Sequence, residues 1–157
     1  MNTLWLAGVT TAFTLAPAVM AATPFQAEDI FKLAAASDVQ ISPDGKLIVY
    51  VRQQNDIMTD RTQSNLWLLN VKTGQHYPLF ADNHSYSQPR WAADSNRIAF
   101  VSDRDGSSQI YVHWLTEQKT AAISQTQLRP AQLSWSPDGK RIAFTAEVAA
   151  ESTAFAK

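Results

Sequence analysis

A ten-residue pattern that recurs every 44 to 50 residues constrains the fold of this chain more than any other feature of its sequence. Its three copies begin at Ile41, Trp91 and Trp135 and read ISPDGKLIVY, WAADSNRIAF and WSPDGKRIAF. A second pattern, NLWLL from Asn65, recurs 44 residues later as QIYVH from Gln109. Two independent patterns that share one period predict a protein made of repeated structural units.

Each unit is predicted to contain short β-strands, because apolar runs alternate with Asp, Asn and Gly residues that tolerate the positive φ of tight turns. The first two units contain four such strands, whereas only two are recognised in the third. The predicted strands are 38–42, 47–52, 65–71 and 75–80, then 88–91, 97–102, 109–115 and 120–124, then 132–135 and 141–147.

The second predicted strand is apolar on both faces, since Leu47, Val49 and Val51 alternate with Ile48 and Tyr50. Such a strand has to be covered on both sides, and stacked four-stranded sheets provide that cover. A period of roughly 40 to 50 residues with four strands is typical of β-propellers. We therefore predict an all-β fold, an incomplete β-propeller of about two and a half blades over 37–157, with blades at about 37–80, 87–124 and 130–147.

The first 22 residues differ in character from the rest of the chain. The run from Leu4 to Met20 carries no charge, and a small-x-small sequence ends at Ala21, with Ala22 as the neighbouring cleavage choice. This pattern predicts a cleavable signal peptide over 1–22, although no Lys or Arg precedes the apolar run. We expect a periplasmic or secreted destination, and no membrane association after cleavage. An uncleaved anchor and a buried helix are the alternatives.

Residues 23–36 are predicted to form a short helix that docks on the propeller. Thr23 offers a capping hydroxyl, Pro24 suits the first helical position, and Gln26 follows the cap by three residues. The apolar side chains of this segment are Phe25, Ile30, Phe31 and Leu33.

Charge and cysteine content exclude several classes of protein. The chain has 13 basic and 14 acidic residues, so no basic excess favours nucleic acid as a partner. It contains no cysteine, which excludes disulfide scaffolds, thiolate zinc sites and cysteine nucleophiles. We expect no cofactor and no metal.

The repeats, together with the run SDRDG from Ser102, resemble the WD-like blades shared by TolB-type proteins and prolyl oligopeptidase-family peptidases. The opening is more specific: AEDIF from Ala27, followed by SDVQISPDGK from Ser37, resembles the mature N-terminus of secreted bacterial dipeptidyl- or acylaminoacyl-peptidases of that family. Val39 stands where the family commonly has proline. The resemblance covers 23–147 and implies the N-terminal propeller of a serine peptidase.

Members of that family carry a C-terminal α/β-hydrolase domain whose nucleophilic Ser sits in a G-x-S-x-G motif. The five glycines of this chain lie at 8, 45, 74, 106 and 139, so the motif is absent from its sequence. The resemblance therefore implies a non-catalytic chain, truncated before the catalytic domain, whose partners would be its own hydrolase domain and short peptides. We expect 23–157 alone to be insoluble or oligomeric, because an open stack of blades leaves one face uncovered.

No catalytic, cofactor-binding or metal-binding residue is assigned, because the polar candidates have simpler structural roles. Asp44 and Asp138 are expected to accept backbone hydrogen bonds in turns. Ser42 and Ser136 each precede a proline in a predicted hairpin and have no adjacent base, which argues against a nucleophile. The three histidines lack metal-ligand spacing; they are His76, His84 and His113.

The remaining candidates are aromatic or charged. The aromatic residues recur at matched repeat positions, which favours core packing over a ligand cage; they are Trp67, Trp91, Tyr111, Trp114 and Trp135. The cluster Asp103-Arg104-Asp105 is predicted to be an exposed loop with local ion pairs. In an intact family member Arg52 and Arg104 could face a substrate chamber, but no motif assigns them that role.

Three functions are compatible with the sequence. The first is the substrate-gating cap of an α/β-hydrolase that cleaves short peptides through a Ser nucleophile and a His base. The second is a periplasmic TolB-like propeller that acts as a protein-binding scaffold without chemistry. The third is the product of a decayed gene. A hydrolase domain after residue 157 would distinguish the first from the second, which predicts only further blades.

Overall fold

The computed structural model describes residues 26–148, which fold into one short 3₁₀ helix and ten β-strands. The strands are β1 (Ala34–Ile41), β2 (Leu47–Asp56), β3 (Arg61–Asn70), β4 (His76–Phe80), β5 (Tyr86–Trp91), β6 (Arg97–Ser102), β7 (Gln109–Trp114), β8 (Lys119–Ala122), β9 (Pro130–Trp135) and β10 (Ile142–Ala146).

The strands form three antiparallel sheets in chain order. Strands β1 to β4 make the first blade, β5 to β8 make the second blade, and β9 and β10 make a two-stranded third hairpin. The sheets stack on one another, with β1 against β5 and β5 against β9. We call β1, β5 and β9 the inner strands, because in a propeller the first strands of the blades converge on the central channel. This arrangement confirms the predicted all-β, partial propeller fold.

The contact between the first and second blades is called the first seam, and the contact between the second blade and the third hairpin is the second seam. The first seam buries one apolar cluster: Val49, Val51, Leu66, Leu68, Tyr86, Ile98, Phe100 and Tyr111. The second seam buries another: Ala99, Val101, Ile110, Val112 and Leu133.

Strand β6 shows why both seams can form on one blade. Its Ile98 and Phe100 point into the first seam, while Ala99 and Val101 point into the second. This is the period-two alternation of a strand covered on both sides, the property predicted from the repeats. Burying a side chain as large as Phe100 completely stabilises the fold by about 1.5 to 3 kcal/mol.

The hairpin of β2 and β3 is longer than the predicted strands 47–52 and 65–71. Pairing continues outward until Asp56 lies opposite Arg61. The Asp56 carboxylate closes the turn by accepting hydrogen bonds from the Met58 backbone N–H at 2.8 Å and the Thr59 hydroxyl at 3.0 Å. Backbone pairing and this Asp-centred turn extend the strands through a polar stretch that has little β propensity of its own.

The helix predicted over 23–36 is shorter than expected. A 3₁₀ helix spans Ala27–Lys32, and the Asp29 carboxylate accepts the Gln26 backbone N–H at 2.9 Å. Residues 34–36 belong instead to β1, because they pair with the extended end of β2. The predicted capping residues Thr23 and Pro24 lie outside the described residues.

The predicted signal peptide over 1–22 also lies outside the described residues. Within 26–148, no helix is long and apolar enough to cross a membrane.

Candidate functional site

Each inner strand contains a β-bulge at the same place in the repeat. The pairing with the next strand shifts at residues 37–40 of β1, at 87–90 of β5 and at 131–134 of β9. A polar residue at each bulge has a positive φ: 45° at Asp38, 55° at Gln88 and 51° at Gln132. A side chain in this left-handed region costs on the order of 1 kcal/mol, and such strain is concentrated at functional sites. The inner-strand surface is therefore the candidate functional site.

The first seam is bridged at the inner strands by an ion pair and an indole hydrogen bond. Arg90 Nη1 lies 2.7 Å from Asp38 Oδ1, and both side chains are about a quarter exposed. The Trp91 indole Nε1–H donates to the carbonyl oxygen of Gln40 at 3.1 Å. The bulge residue of β1 thus accepts a hydrogen bond from β5.

The second seam repeats the hydrogen bonds of this scheme without a bridging ion pair among the described residues. The Trp135 indole Nε1–H donates to the carbonyl oxygen of Arg90 at 2.9 Å. The bulge residue Gln88 accepts the Leu133 backbone N–H at its Oε1, over a longer 3.4 Å. The Arg97 guanidinium lies 5.0 Å from the Trp135 ring centroid, a cation–π contact across the seam.

A cleft of about 630 Å³ lies where the second seam meets the inner strands. Its walls come from the start of β5, the start of β9 and the end of β10. The lining side chains that carry charge or hydrogen-bonding groups include Gln88, Arg129, Gln132, Thr145 and Glu147.

Aromatic rings fill the first seam. The Phe80 ring stacks on Tyr86 with centroids 5.1 Å apart, and it lies at the same distance from Phe100. The Tyr111 hydroxyl donates to the Asp105 carboxylate at 2.7 Å. Burial and this hydrogen bond raise the pKa of Tyr111 to about 12. Burial, and then the Asp82 carboxylate that accepts its hydroxyl proton, also raise the pKa of Tyr86.

The serines and aspartates of the repeats lie in turns, as predicted. Ser42 Oγ donates to Asp44 Oδ1 at 2.7 Å and accepts the Leu47 backbone N–H at 2.9 Å. The Ser42 hydroxyl and the Lys46 backbone N–H lower the pKa of Asp44 to about 2. The pair Ser136 and Asp138 repeats this arrangement, with its side-chain hydrogen bond at 2.5 Å. These groups hold the turns closed, which leaves them occupied with local hydrogen bonds.

The three histidines are dispersed. His76 Nδ1 is hydrogen-bonded to the Tyr50 hydroxyl at 3.2 Å, and exposed His84 lies 3.8 Å from Asp103. His113 is buried in the first seam, where burial lowers its pKa and Thr120 is its hydrogen-bond partner. Among the described residues, no group of three or more His, Cys, Asp or Glu side chains could hold a metal ion.

The Asp103-Arg104-Asp105 cluster differs from its predicted form. Asp103 accepts the Ser85 backbone N–H at 2.8 Å, and Asp105 accepts the Tyr111 hydroxyl. The Arg104 guanidinium lies 5.8 Å from the ring centroids of both Phe80 and Tyr111. Within the described part of the chain, the expected local ion pairs are replaced by these contacts, because the aromatic faces of the first seam attract the cation. Arg104 therefore lies at the first seam.

Arg52 and the recurring aromatic residues are spread over different surfaces. The Arg52 guanidinium lies 4.7 Å from the Trp67 ring centroid on the face of the first blade that points away from the first seam. Tyr111 belongs to the first cluster, while Trp114 and Trp135 pack against the second. The aromatic positions thus lie at two seams and, for Trp67, on a third surface, and they do not form a shared ligand cage.

Comparisons with known proteins agree with this architecture. The family model described as the TolB beta propeller domain matches residues 42–156. The chain belongs to that family. It is 32% identical over 120 residues to an uncharacterized peptidase, YuxL, of Bacillus subtilis, which covers 76% of this chain and 18% of that protein. It is 30% identical over 117 residues to dipeptidyl-peptidase 5 of Porphyromonas gingivalis, covering 74% of this chain and 17% of that one.

Among solved structures, the β-propeller domain of the Trilobed protease from Pyrococcus furiosus matches with a TM-score of 0.58 and 23% identity. The match covers 72% of this chain and 34% of that domain, and it supports the fold. This TolB-type chain spans less than a fifth of the length of the two curated relatives named. The resemblance to TolB-type blades and to peptidases, inferred from the sequence, is confirmed.

Sequence reasoning missed the bulges and the ion pair of this TolB-type propeller. Arg90 and Asp38 are 52 residues apart, and no local pattern joins them. A signal for the bulges does exist: a polar residue precedes the start of each repeat by three positions. These residues are Asp38, Gln88 and Gln132.

Proposed function

We propose that this chain forms the N-terminal part of a β-propeller that caps the catalytic domain of a secreted serine peptidase and admits only short peptides. The observation that carries the proposal is the 32% identity with the peptidase YuxL over 120 residues. The identity with dipeptidyl-peptidase 5 supports the same class of enzyme. In this proposal the chain supplies no catalytic residue, and its partner is the hydrolase domain of the same protein.

The packing of the blades suits a cap. A cap that excludes folded proteins has to resist separation of its blades. Both seams are packed with apolar residues, and an indole hydrogen bond crosses each of them. The inner strands at the same time carry hydrogen-bonding side chains, among them Gln88 and Gln132. Such groups can bind a peptide backbone as it passes.

The test uses the native product of the gene that encodes this chain. We expect a product several times larger than 157 residues that reacts with a fluorophosphonate probe and cleaves fluorogenic dipeptide substrates but leaves folded globular proteins intact. A product of larger mass that neither labels nor cleaves any peptide would refute the peptidase part of the proposal.

We also propose that residues 1–22 direct export and are removed near Ala21 or Ala22. The support is the uncharged run from Leu4 to Met20 and the small residues that end it. Mass spectrometry of the product from the periplasmic and extracellular fractions is expected to find a mature N-terminus at Ala22 or Thr23. A product that keeps Met1 and stays in the cytoplasm would contradict export.

A TolB-like binding scaffold is the second candidate, and the description of the matching family favours it. It predicts a native product that contains further blades, lacks hydrolase activity and co-purifies reproducibly with another exported protein. Fluorophosphonate labelling of the native product separates the two candidates directly.

A further inference from the structure

The cleft at the second seam lies where equivalent repeat positions differ between the two seams. At the first seam Tyr86 is fully buried, and Arg90 reaches across to Asp38. The residues 44 positions later are Pro130 and Ser134, whose side chains are smaller and carry no charge. Pro130 lines a cleft of about 630 Å³ at the second seam, at the repeat position where the Tyr86 ring is buried at the first.

The cleft has two amide donors available to a ligand. Gln88 accepts the Leu133 backbone N–H at its Oε1, and Gln132 accepts the Thr145 hydroxyl at its Oε1, at 3.3 Å. Among the hydrogen bonds of the described residues, the Nε2 groups of both amides have no acceptor. An amide N–H of this kind pairs well with a peptide carbonyl oxygen.

The cleft also has one charge of each sign. Arg129 and Glu147 both line it, both are exposed, and neither forms an ion pair with another described residue. A guanidinium matches the two oxygens of a carboxylate, and a carboxylate accepts from an ammonium group. One cation and one anion in the same cleft favour a ligand that carries both charges over a simple anion or cation.

We propose that this cleft binds a short peptide with free ends, Arg129 taking the terminal carboxylate, Glu147 the terminal ammonium, and Gln88 and Gln132 the carbonyl oxygens between them. The volume lies within the range of about 300 to 1,000 Å³ that is usual for small-ligand sites. A short peptide fits that space and a folded protein does not. The inference rests on the proposed function, because it names where the cap contacts its substrate class.

The first test is isothermal titration of the native product of the gene, treated with the fluorophosphonate so that no peptide is hydrolysed, with trialanine, trialanine amide and N-acetyl-trialanine. Trialanine is expected to bind saturably, and each blocked form to bind about tenfold more weakly, because each loses one charge-assisted contact. Arg129→Gln is expected to abolish the discrimination against the amide while keeping the discrimination against the acetyl form. Glu147→Gln is expected to show the reverse.

Arg141→Gln is the matched control, since it removes the same charge from an exposed position in the turn between β9 and β10. It is expected to leave all three affinities unchanged. The proposal is overturned if trialanine gives no saturable binding, or if Arg129→Gln weakens trialanine and its amide equally. Circular dichroism spectra that match the wild type establish that each variant is folded.

The second test uses kinetics of the untreated native product. Arg129→Gln is expected to raise KM about tenfold for a peptide with a free carboxylate, with no change in kcat and no change in KM for the amide. Equal KM values in wild type, Arg129→Gln and Arg141→Gln would overturn the cleft but leave the cap intact. Discrimination that depends on Arg129, in a product that hydrolyses nothing, would support the cleft and overturn the peptidase cap.

Discussion

The first seam joins two complete four-stranded sheets, whereas the second joins a complete sheet to a two-stranded hairpin. The same repeat position shows the difference: Phe100 is fully buried in the first seam, while Phe144, its equivalent in the third hairpin, is 43% exposed. The two side chains are identical and lie in the same sequence pattern. The burial of a blade residue is therefore decided by the strands and side chains that surround it, and the repeat alone does not determine it.

The seams also differ in charge. The first is bridged by Arg90 and Asp38 and filled by Tyr86, while the second has neutral hydrogen bonds and an open cleft. The first seam is therefore closed, and the second has room for a ligand. Four measurements test whether the two seams differ in this way.

The largest effect is expected for Phe100→Ala, because the ring contacts Phe80, Tyr86 and Tyr111 and leaves a cavity when it is removed. The free energy of unfolding should fall by about 3 to 5 kcal/mol. The matched variant Phe144→Ala should cost less than about 1 kcal/mol, since that ring is already partly hydrated. Urea unfolding followed by tryptophan fluorescence measures both, and equal losses would contradict the distinction between the seams.

The second effect is a loss of stability in alkali that originates in the first seam. Tyr111 has a pKa of about 12 in the folded protein, above its ordinary 10.0. The folded state keeps a proton that the unfolded state releases, so its contribution is fully present below pH 10 and is lost as the pH rises towards 12. One such group changes stability by about 1.4 kcal/mol per pH unit in that window.

The shift of Tyr86 has the same direction and adds to this loss. Urea midpoints between pH 9 and 11 should fall in the wild type and fall less steeply in Tyr111→Phe. Parallel curves for the two proteins would show that the buried hydroxyl of the first seam does not determine the alkaline limit.

The third comparison uses two glycines in equivalent turns. Gly45 has φ 71°, and a Cβ added there would meet open space. Gly139 has φ 64°, and a Cβ added there would lie 2.9 Å from Arg97 Nη2. Each alanine substitution should cost about 1 kcal/mol from the left-handed backbone. Gly139→Ala should cost roughly 0.5 kcal/mol more, because it displaces Arg97 from Trp135 in the second seam. Thermal or urea unfolding that gives equal costs would show that this cation–π contact adds nothing.

The smallest effect concerns the ion pair of the first seam. Removing it with Arg90→Gln should cost about 0.5 to 1 kcal/mol, since both partners are partly hydrated. A double-mutant cycle with Asp38→Asn measures the coupling, which should shrink in high salt. Arg141→Gln is the control with the same charge change and no ion pair among the described residues. A coupling energy of zero at low salt would remove the charge difference between the seams.

Much of the fold was predictable because the repeats place turn residues at regular intervals. The pattern from Trp91 to Phe100 locates a tight turn and the strand after it without any knowledge of the neighbouring blade. The ends of β2 and β3 were less predictable, because Gln53 to Asp56 pair as strand only where the facing chain offers a partner. The 3₁₀ helix was predicted too long for the same reason.

The candidate site was harder to predict than the fold. Asp38, Gln88 and Gln132 adopt a conformation that glycine favours, so no one of them indicates a bulge by itself, and the signal appears only when the three repeats are aligned. The cleft depends on which side chains face each other across a seam, and those residues lie tens of positions apart in the chain. The difference between Tyr86 and Pro130, which occupy equivalent repeat positions, is apparent only when the blades are superposed.

The indole hydrogen bonds indicate an order in which the blades can assemble. Each donor joins a carbonyl that lies 51 or 45 residues earlier in the chain. Ile41 stands at the first of these repeat positions and has no indole, so the first blade makes no such hydrogen bond to an earlier residue. When the chain is synthesised from its N-terminus, each indole hydrogen bond can form as soon as the next inner strand has been made. Assembly by successive addition would keep the uncovered surface to the two end faces of the growing stack, and this favours folding blade by blade during synthesis.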